Sequence, residues 1–84
     1  ENQSQLTPMA PLTSLDLHQP ASLAALGGDR SFQRRLMELG LLPGTPLRVI
    51  RRAPLGGVLE VEVRACRVTL RLTEADQVLV STEA

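Results

Sequence analysis

Apolar and polar residues alternate along the second half of the chain, which predicts β-strands with one buried face. In one run, Leu59, Val61 and Val63 alternate with charged residues, and the same period recurs over residues 66–72 after a short turn near Ala65. An earlier run begins at residue 46 and loses its alternation at Ile50, which predicts either a β-bulge or a strand that leaves the core. The pattern therefore predicts three strands, of which the last two form an antiparallel pair.

A different period, close to 3.6 residues, precedes these strands and predicts one amphipathic helix of about three turns. Its apolar residues Phe32, Leu36 and Leu39 are spaced at i, i+4 and i+7. Asp29 stands at the N-cap position, and Gly40 stands where a left-handed C-terminal cap is needed. The opposite, polar face comprises Gln33, Arg34 and Glu38.

Turn-forming residues and shorter patterns indicate the remaining elements. Pro43 and Gly44 fit the two central positions of a type II turn, because proline sets the first φ and glycine tolerates the positive second one. Residues 21–26 form an apolar run after Pro20 and predict a first strand, preceded by a short helical turn. Residues 73–76 have the spacing of a capping box and predict a single helical turn. A last short strand follows over residues 78–80.

These elements predict a mainly β domain spanning residues 12–81. Residues 1–11 are polar, contain two prolines and lack periodicity, so we expect a disordered arm there. Residues 82–84 are expected to fray. About five short antiparallel strands hide their edges best by curling into a small barrel, with the helix covering one opening.

The composition excludes several kinds of site. With 84 residues, of which 43% are apolar, the chain suits one small domain with a leucine and valine core. One cysteine cannot form an internal disulfide, and one cysteine with one histidine cannot complete a closed zinc site. Because there is no lysine, a phosphate-binding loop of the Gly-Lys-Ser/Thr type and Schiff-base chemistry are excluded. No apolar run is long enough to span a bilayer, so we expect a soluble cytoplasmic protein.

Charge is distributed unevenly, although the formal net charge is zero. Residues 47–72 contain six of the nine arginines and two of the nine acidic residues, a net charge of +4. Such a segment suits an anionic partner. The pairs Arg34, Arg35 and Arg51, Arg52 are the candidate contacts, because a guanidinium group matches carboxylate and phosphate.

A competing hypothesis is that these arginines only keep the outer faces of strands and helix soluble. In that case Glu60 and Glu62 pair across strands with Arg67 and Arg71. Arg51 and Arg52 are the exception, because they lie where the alternation fails.

The run FQRRLMELGLLPG, residues 32–44, is similar to the signature of ferrous iron transport protein A, the FeoA family. The family pattern has an arginine-rich helix, the motif L-x-E-L-G-L-x-P-G, a strand, R-x-A-P and a glycine turn. The run RVTLRLTEADQVLV, residues 67–80, resembles the family's closing segment. The chain departs from the pattern at Ala65 and Cys66, where the family often has glycine and a large residue. The matched positions are structural by residue type: Leu36, Leu39, Gly40, Pro43 and Gly44.

The resemblance implies an SH3-like β-barrel with an inserted helix. It further implies a small cytosolic accessory protein of bacterial ferrous iron uptake, neither an enzyme nor in need of a cofactor. Its implied partner is the cytosolic GTP-binding part of the FeoB membrane transporter, which would recruit it to the inner face of the membrane. Related domains are fused to iron-dependent repressors, so the domain is not tied to one role.

Alternative functions and contacts remain open at this point. A nucleic-acid-binding or regulator-associated barrel would use the basic segment, but the single aromatic residue, Phe32, is assigned to the helix core. Transition-metal binding is a weaker alternative. Cys66 has the parity of a buried strand residue and His18 lies at the surface, so a metal would have to bridge them to a second molecule in a weak homo-oligomer. Leu41 and Leu42, between the helix and the turn, are further candidate contacts: either one faces inward and the other is exposed to a partner, or both pack over the barrel opening.

Overall fold

A computed structural model of the chain describes residues 9–82, which form one antiparallel sheet with two short helices. The predicted fraying of residues 83–84 and the arm over residues 1–8 lie outside the described residues. The two helices are α1, Arg30–Glu38, and α2, Leu72–Ala75, and 3-10 turns cover Leu12–Ser14 and Pro54–Gly56. The strands are β1, Met9–Pro11; β2, Ala21–Leu26; β3, Pro46–Ala53; β4, Val58–Val63; β5, Cys66–Arg71; and β6, Val78–Ser81.

The sheet has six strands in the order β1-β6-β2-β3-β4-β5, one more than the sequence predicts. The extra strand is β1, so the prediction of a disordered arm is wrong for residues 9–11. In β1, Met9 lies opposite Ser81 and Pro11 lies opposite Leu79. Three residues are too few to show a period of two. These residues form a strand because they pair with β6, near the other end of the chain.

The inward faces of the strands form one leucine and valine core, as the alternating pattern predicts. The predicted bulge in β3 is present, because the register with β4 shifts between Val49 and Arg51. Before the bulge Leu47 and Val49 are buried, whereas after it Arg51 and Arg52 are exposed. The buried apolar residues are Leu12, Leu15, Leu23, Leu36, Leu41, Leu47, Val49, Leu59, Val61, Val63, Val68, Leu70, Ala75, Val78 and Val80.

The C-terminal end of α1 is a Schellman motif built around Gly40. Gly40 has a φ of 101°, its N–H donates to Met37 O at 3.0 Å, and the N–H of Leu41 donates to Leu36 O at 3.0 Å. Leu36 and Leu41 are both fully buried, which supplies the apolar contact that accompanies this motif. The predicted glycine cap is confirmed, and the cap explains why Leu41 turns into the core.

The start of α1 and the turn after it also follow the prediction. The N–H of Phe32 donates to Asp29 Oδ1 at 2.8 Å, which caps the helix. After the helix, Gly44 has a φ of 88°, and the N–H of Thr45 donates to Leu42 O at 2.9 Å. These features match a type II turn with Pro43 and Gly44 in its centre.

Two side chains of the α1 region differ from the helical pattern. Leu39, predicted in the core, is 47% exposed, because the helix ends at Glu38 and the cap brings Leu41 inward in its place. Gln33, predicted on the polar face, is half-buried, and its Nε2 donates to Leu26 O at 3.1 Å. The helix therefore covers the barrel with a narrower apolar stripe, centred on Leu36.

Two predictions at the ends of β5 are wrong. Cys66 is exposed rather than buried, because it lies opposite Val63 at the turn end of the β4–β5 hairpin, beyond the buried part of β5. At the other end, α2 begins at Leu72, and its N-cap residue is Arg71 rather than Thr73. The single helical turn itself is confirmed.

Candidate functional site

Arg51 and Arg52 have different roles. Arg52 Nη2 donates to Thr13 O at 3.3 Å and also to Leu15 O, so this side chain ties β3 to the connection between β1 and β2. Arg51 is exposed, and within residues 9–82 its guanidinium forms no ion pair. Neither guanidinium pairs with a carboxylate in the described part of the chain, but Arg52 is held by two backbone carbonyls, whereas Arg51 is not.

The Arg34, Arg35 pair on α1 is divided in the same way. Arg35 Nη2 lies 2.6 Å from Glu74 Oε2, and the guanidinium carbon lies 5.7 Å from the centre of the Phe32 ring. Arg34 is exposed and forms no ion pair in the described part of the chain. Arg35 therefore ties α1 to α2, whereas Arg34 is available to a partner.

Glu74 connects three elements, a role that the sequence shows only in part. Its Oε2 accepts the Arg35 hydrogen bond, and its Oε1 accepts from the Arg71 N–H at 3.0 Å. The Arg35 hydrogen bond, followed by that of the Arg71 backbone, lowers the pKa of Glu74 below its ordinary value. The capping-box spacing of residues 73–76 indicates a hydrogen bond between Glu74 and the nearby backbone, but it does not indicate the ion pair with Arg35.

The outer face of β3, β4 and β5 carries a network of ion pairs. Arg48 Nε lies 2.7 Å from Glu62 Oε1, and Arg67 Nη1 lies 3.9 Å from Glu60 Oε2. The predicted pairing is thus correct for Glu60 with Arg67 and wrong for Glu62, which faces an arginine on both neighbouring strands and pairs with the one on β3. Arg71 forms no ion pair among the described residues. Two of the six arginines of the basic segment are therefore paired with carboxylates, and the segment keeps its net charge of +4.

Exposed apolar side chains lie at the C-terminal end of α1. Met37, Leu39 and Leu42 are 44%, 47% and 43% exposed, respectively. Leu41, the other candidate contact of its pair, is fully buried and so cannot present its side chain to a partner. Leu39 is the contact candidate that sequence reasoning missed, since its helical spacing assigned it to the core.

The two metal candidates lie in different parts of the fold. His18 is exposed and has a φ of 65°, and its backbone N–H donates to Val49 O at 2.7 Å. Cys66 is the first residue of β5. Within residues 9–82 no group of three or more histidine, cysteine or acidic side chains is placed to hold a metal ion. Neither α1 nor α2, the helices of this part of the chain, has the length and hydrophobicity of a membrane-spanning helix.

Comparison of the sequence with models of known protein families identifies the family, and with it the fold, of this six-stranded sheet. The sequence matches the FeoA domain family over residues 10–82. The chain belongs to the FeoA family. The resemblance carried by residues 32–44 and 67–80 is thereby confirmed, and so is the SH3-like fold of the family.

Solved structures give the same result. The FeoA protein from Chlorobium tepidum is 35% identical, with a TM-score of 0.81 over 88% of this chain and 70% of that one. A FeoA-like protein from Clostridium acetobutylicum is 22% identical, with a TM-score of 0.80 over 94% of this chain and 92% of that one. A manganese-dependent transcriptional repressor is 20% identical, with a TM-score of 0.84 over 93% of this chain and 44% of that one. The last two show the fold alone.

Proposed function

We propose that this FeoA-family chain is a cytoplasmic accessory protein of bacterial ferrous iron uptake and not an enzyme. In this proposal it binds the cytosolic GTP-binding part of a FeoB-type transporter and reaches the membrane only through that partner. The observation that carries the proposal is the family match over residues 10–82, together with 35% identity to a solved FeoA protein.

The exposed end of α1 supports a role in protein binding. Met37, Leu39 and Leu42 each leave more than two fifths of their surface exposed, and Arg34 presents a charge from the same helix. Aliphatic side chains beside an arginine suit the centre and rim of a protein interface. The Schellman motif fixes this end of the helix, so little conformational entropy is lost when a partner binds.

Calorimetric titration of the purified chain with the cytosolic domain of the transporter tests the proposal. The titration is run without nucleotide, with GDP and with a non-hydrolysable GTP analogue. We expect binding in at least one state, weakened several-fold by Leu42→Ser. Leu17→Ser is the matched control, because Leu17 is 47% exposed in the connection before β2, and it should leave binding unchanged. No binding in any state, together with normal ferrous iron uptake by a deletion strain, would contradict the proposal.

A further inference from the structure

Two hollows lie side by side at the C-terminal part of β5. The first, of about 210 Å³, lies on the outer face of the sheet, and the second, of about 420 Å³, lies between that face and the end of α1. Val58 and Thr69 line both hollows, so the two adjoin each other. We name this feature the β5 groove; its lining residues are Arg35, Leu39, Arg51, Ala53, Val58, Glu60, Thr69, Leu70, Arg71 and Glu74.

The charges in the β5 groove are not equally available. Glu74 accepts from Arg35 at 2.6 Å, and Glu60 lies 3.9 Å from Arg67, so both carboxylates already have cationic partners. Arg51 lines one hollow and Arg71 the other, and neither guanidinium forms an ion pair within residues 9–82. Each half of the groove therefore has one arginine without an ion pair, and the charge of Arg71 also attracts the nearby Glu74.

The rest of the groove is largely apolar. Ala53 and Val58 line the half on the sheet, and Leu39, 47% exposed, lines the half at the end of α1. Thr69 is a lining residue of both halves. A ligand that fits this lining combines separate negative charges with at least one aliphatic side chain.

The arrangement of the lining residues favours an extended ligand. Arg51 lies on β3, Thr69 and Arg71 lie on β5, and Leu39 lies at the end of α1. The two hollows therefore follow one another across the sheet. A segment that reaches from Arg51 to Leu39 lies across the strands and is held by contacts of its side chains.

We propose that the β5 groove binds an extended protein segment in which acidic residues alternate with aliphatic ones. Its carboxylates meet Arg51 and Arg71, and an aliphatic side chain packs against Leu39. The proposal goes beyond the transporter-binding function, because it concerns the chemistry of the segment, whichever protein supplies it.

The groove suits such a segment better than a nucleic acid. A phosphate backbone carries a charge at every residue, whereas the groove has only one arginine without an ion pair in each half. Binding of single strands also relies on stacking on aromatic side chains. The single aromatic residue, Phe32, is half-buried and lies beneath the Arg35 guanidinium.

Titration of the isotopically labelled full chain with defined peptides tests the proposal. The probe is acetyl-Leu-Glu-Val-Glu-Leu-Glu-amide, and its counterpart has glutamine in place of every glutamate. We expect the acidic peptide to shift the amide signals of Val58, Thr69 and Arg71, and the glutamine peptide to shift them about tenfold more weakly or not at all. Shifts confined to other residues, or equal effects of both peptides, would overturn the proposal.

Three variants and a competitor complete the test. Arg51→Glu and, separately, Arg71→Gln should each weaken binding of the acidic peptide several-fold. The control Arg30→Glu should not, because Arg30 is exposed at the start of α1 and lies outside the groove lining. Arg71→Gln avoids placing a second carboxylate beside Glu74, so the fold is retained. If a short oligothymidine displaces the peptide and binds more tightly, the groove is a nucleic-acid site and the proposal is wrong. Failure of the transporter titration alone would leave this result unaffected.

Discussion

The conformation of Gly40 makes a quantitative prediction about stability. Its φ is 101°, and a Cβ atom built on it meets no heavy atom within 4 Å, so a substitution strains the backbone without a steric clash. An L-residue in the left-handed region costs about 1–2 kcal/mol. We therefore expect Gly40→Ala to lower the free energy of unfolding by that amount, and Gly40→Val by more, because a β-branched residue avoids positive φ.

Thermal unfolding followed by circular dichroism measures this effect. For a domain of this size, each 1 kcal/mol shifts Tm by about 4–8 °C, so Gly40→Ala should lower Tm by about 4–16 °C. Gly56→Ala is the matched control, since Gly56 lacks a positive φ and a Cβ atom at this position would lie 3.8 Å from Val58 Cγ2, an ordinary contact. We expect the control to be neutral or stabilised by up to about 1 kcal/mol.

The outcome separates strain at the cap from a general effect of losing a glycine. If Gly40→Ala melts at the wild-type temperature, Gly40 does not hold the left-handed conformation and the Schellman motif is wrong. If both variants lose equal stability, the cost is not specific to the cap. A loss well above 2 kcal/mol would mean that Leu41 has left the core as well, because burying a leucine contributes about 2–5 kcal/mol.

Other residues give further predictions. Arg52→Ala should lower the free energy of unfolding by about 1–2 kcal/mol in urea denaturation, because two carbonyl groups lose their donor, whereas Arg51→Ala should change it by less than about 0.5 kcal/mol. Glu74→Gln should lower Tm at pH 7. Because the folded-state pKa of Glu74 is lowered, the carboxylate stabilises the fold above its unfolded pKa of about 4.3, and this stabilisation is lost as the pH falls further. The Tm values of the variant and the wild type should therefore converge in acid. The exposed Cys66 thiol should react with a thiol reagent in the native protein as fast as in urea, and protection in the native state would contradict its exposure.

Local features were predictable because their causes lie within a few residues. Asp29 caps the start of α1 by accepting from the N–H of Phe32, three residues later. At the other end, the N–H of Gly40 donates to Met37 O, and the N–H of Leu41 donates to Leu36 O. The alternation of β4 and β5 gives their buried faces, since successive strand residues point to opposite sides. The same cap turns Leu41 into the core beside Leu36, so the prediction of Leu41 as a partner contact was wrong although the cause is local.

The candidate site was less predictable, because its residues are identified by contacts between distant parts of the chain. Adjacent arginines in the sequence have different roles: Arg52 bonds to carbonyls before β2, and Arg35 bonds to Glu74 at the end of the fold. Arg71 remains available, because Glu60 and Glu62 pair with arginines on neighbouring strands.

The sequence by itself determined the helix, its caps, the alternating strands and the family to which the chain belongs, since each depends on short-range spacing. The tertiary structure alone decided that residues 9–11 form a strand, that Cys66 lies outside the core and which arginines keep an available charge. It also brings Arg51, Leu39 and Arg71 to one groove. These features depend on strand order and register, in which residues far apart in the chain become neighbours.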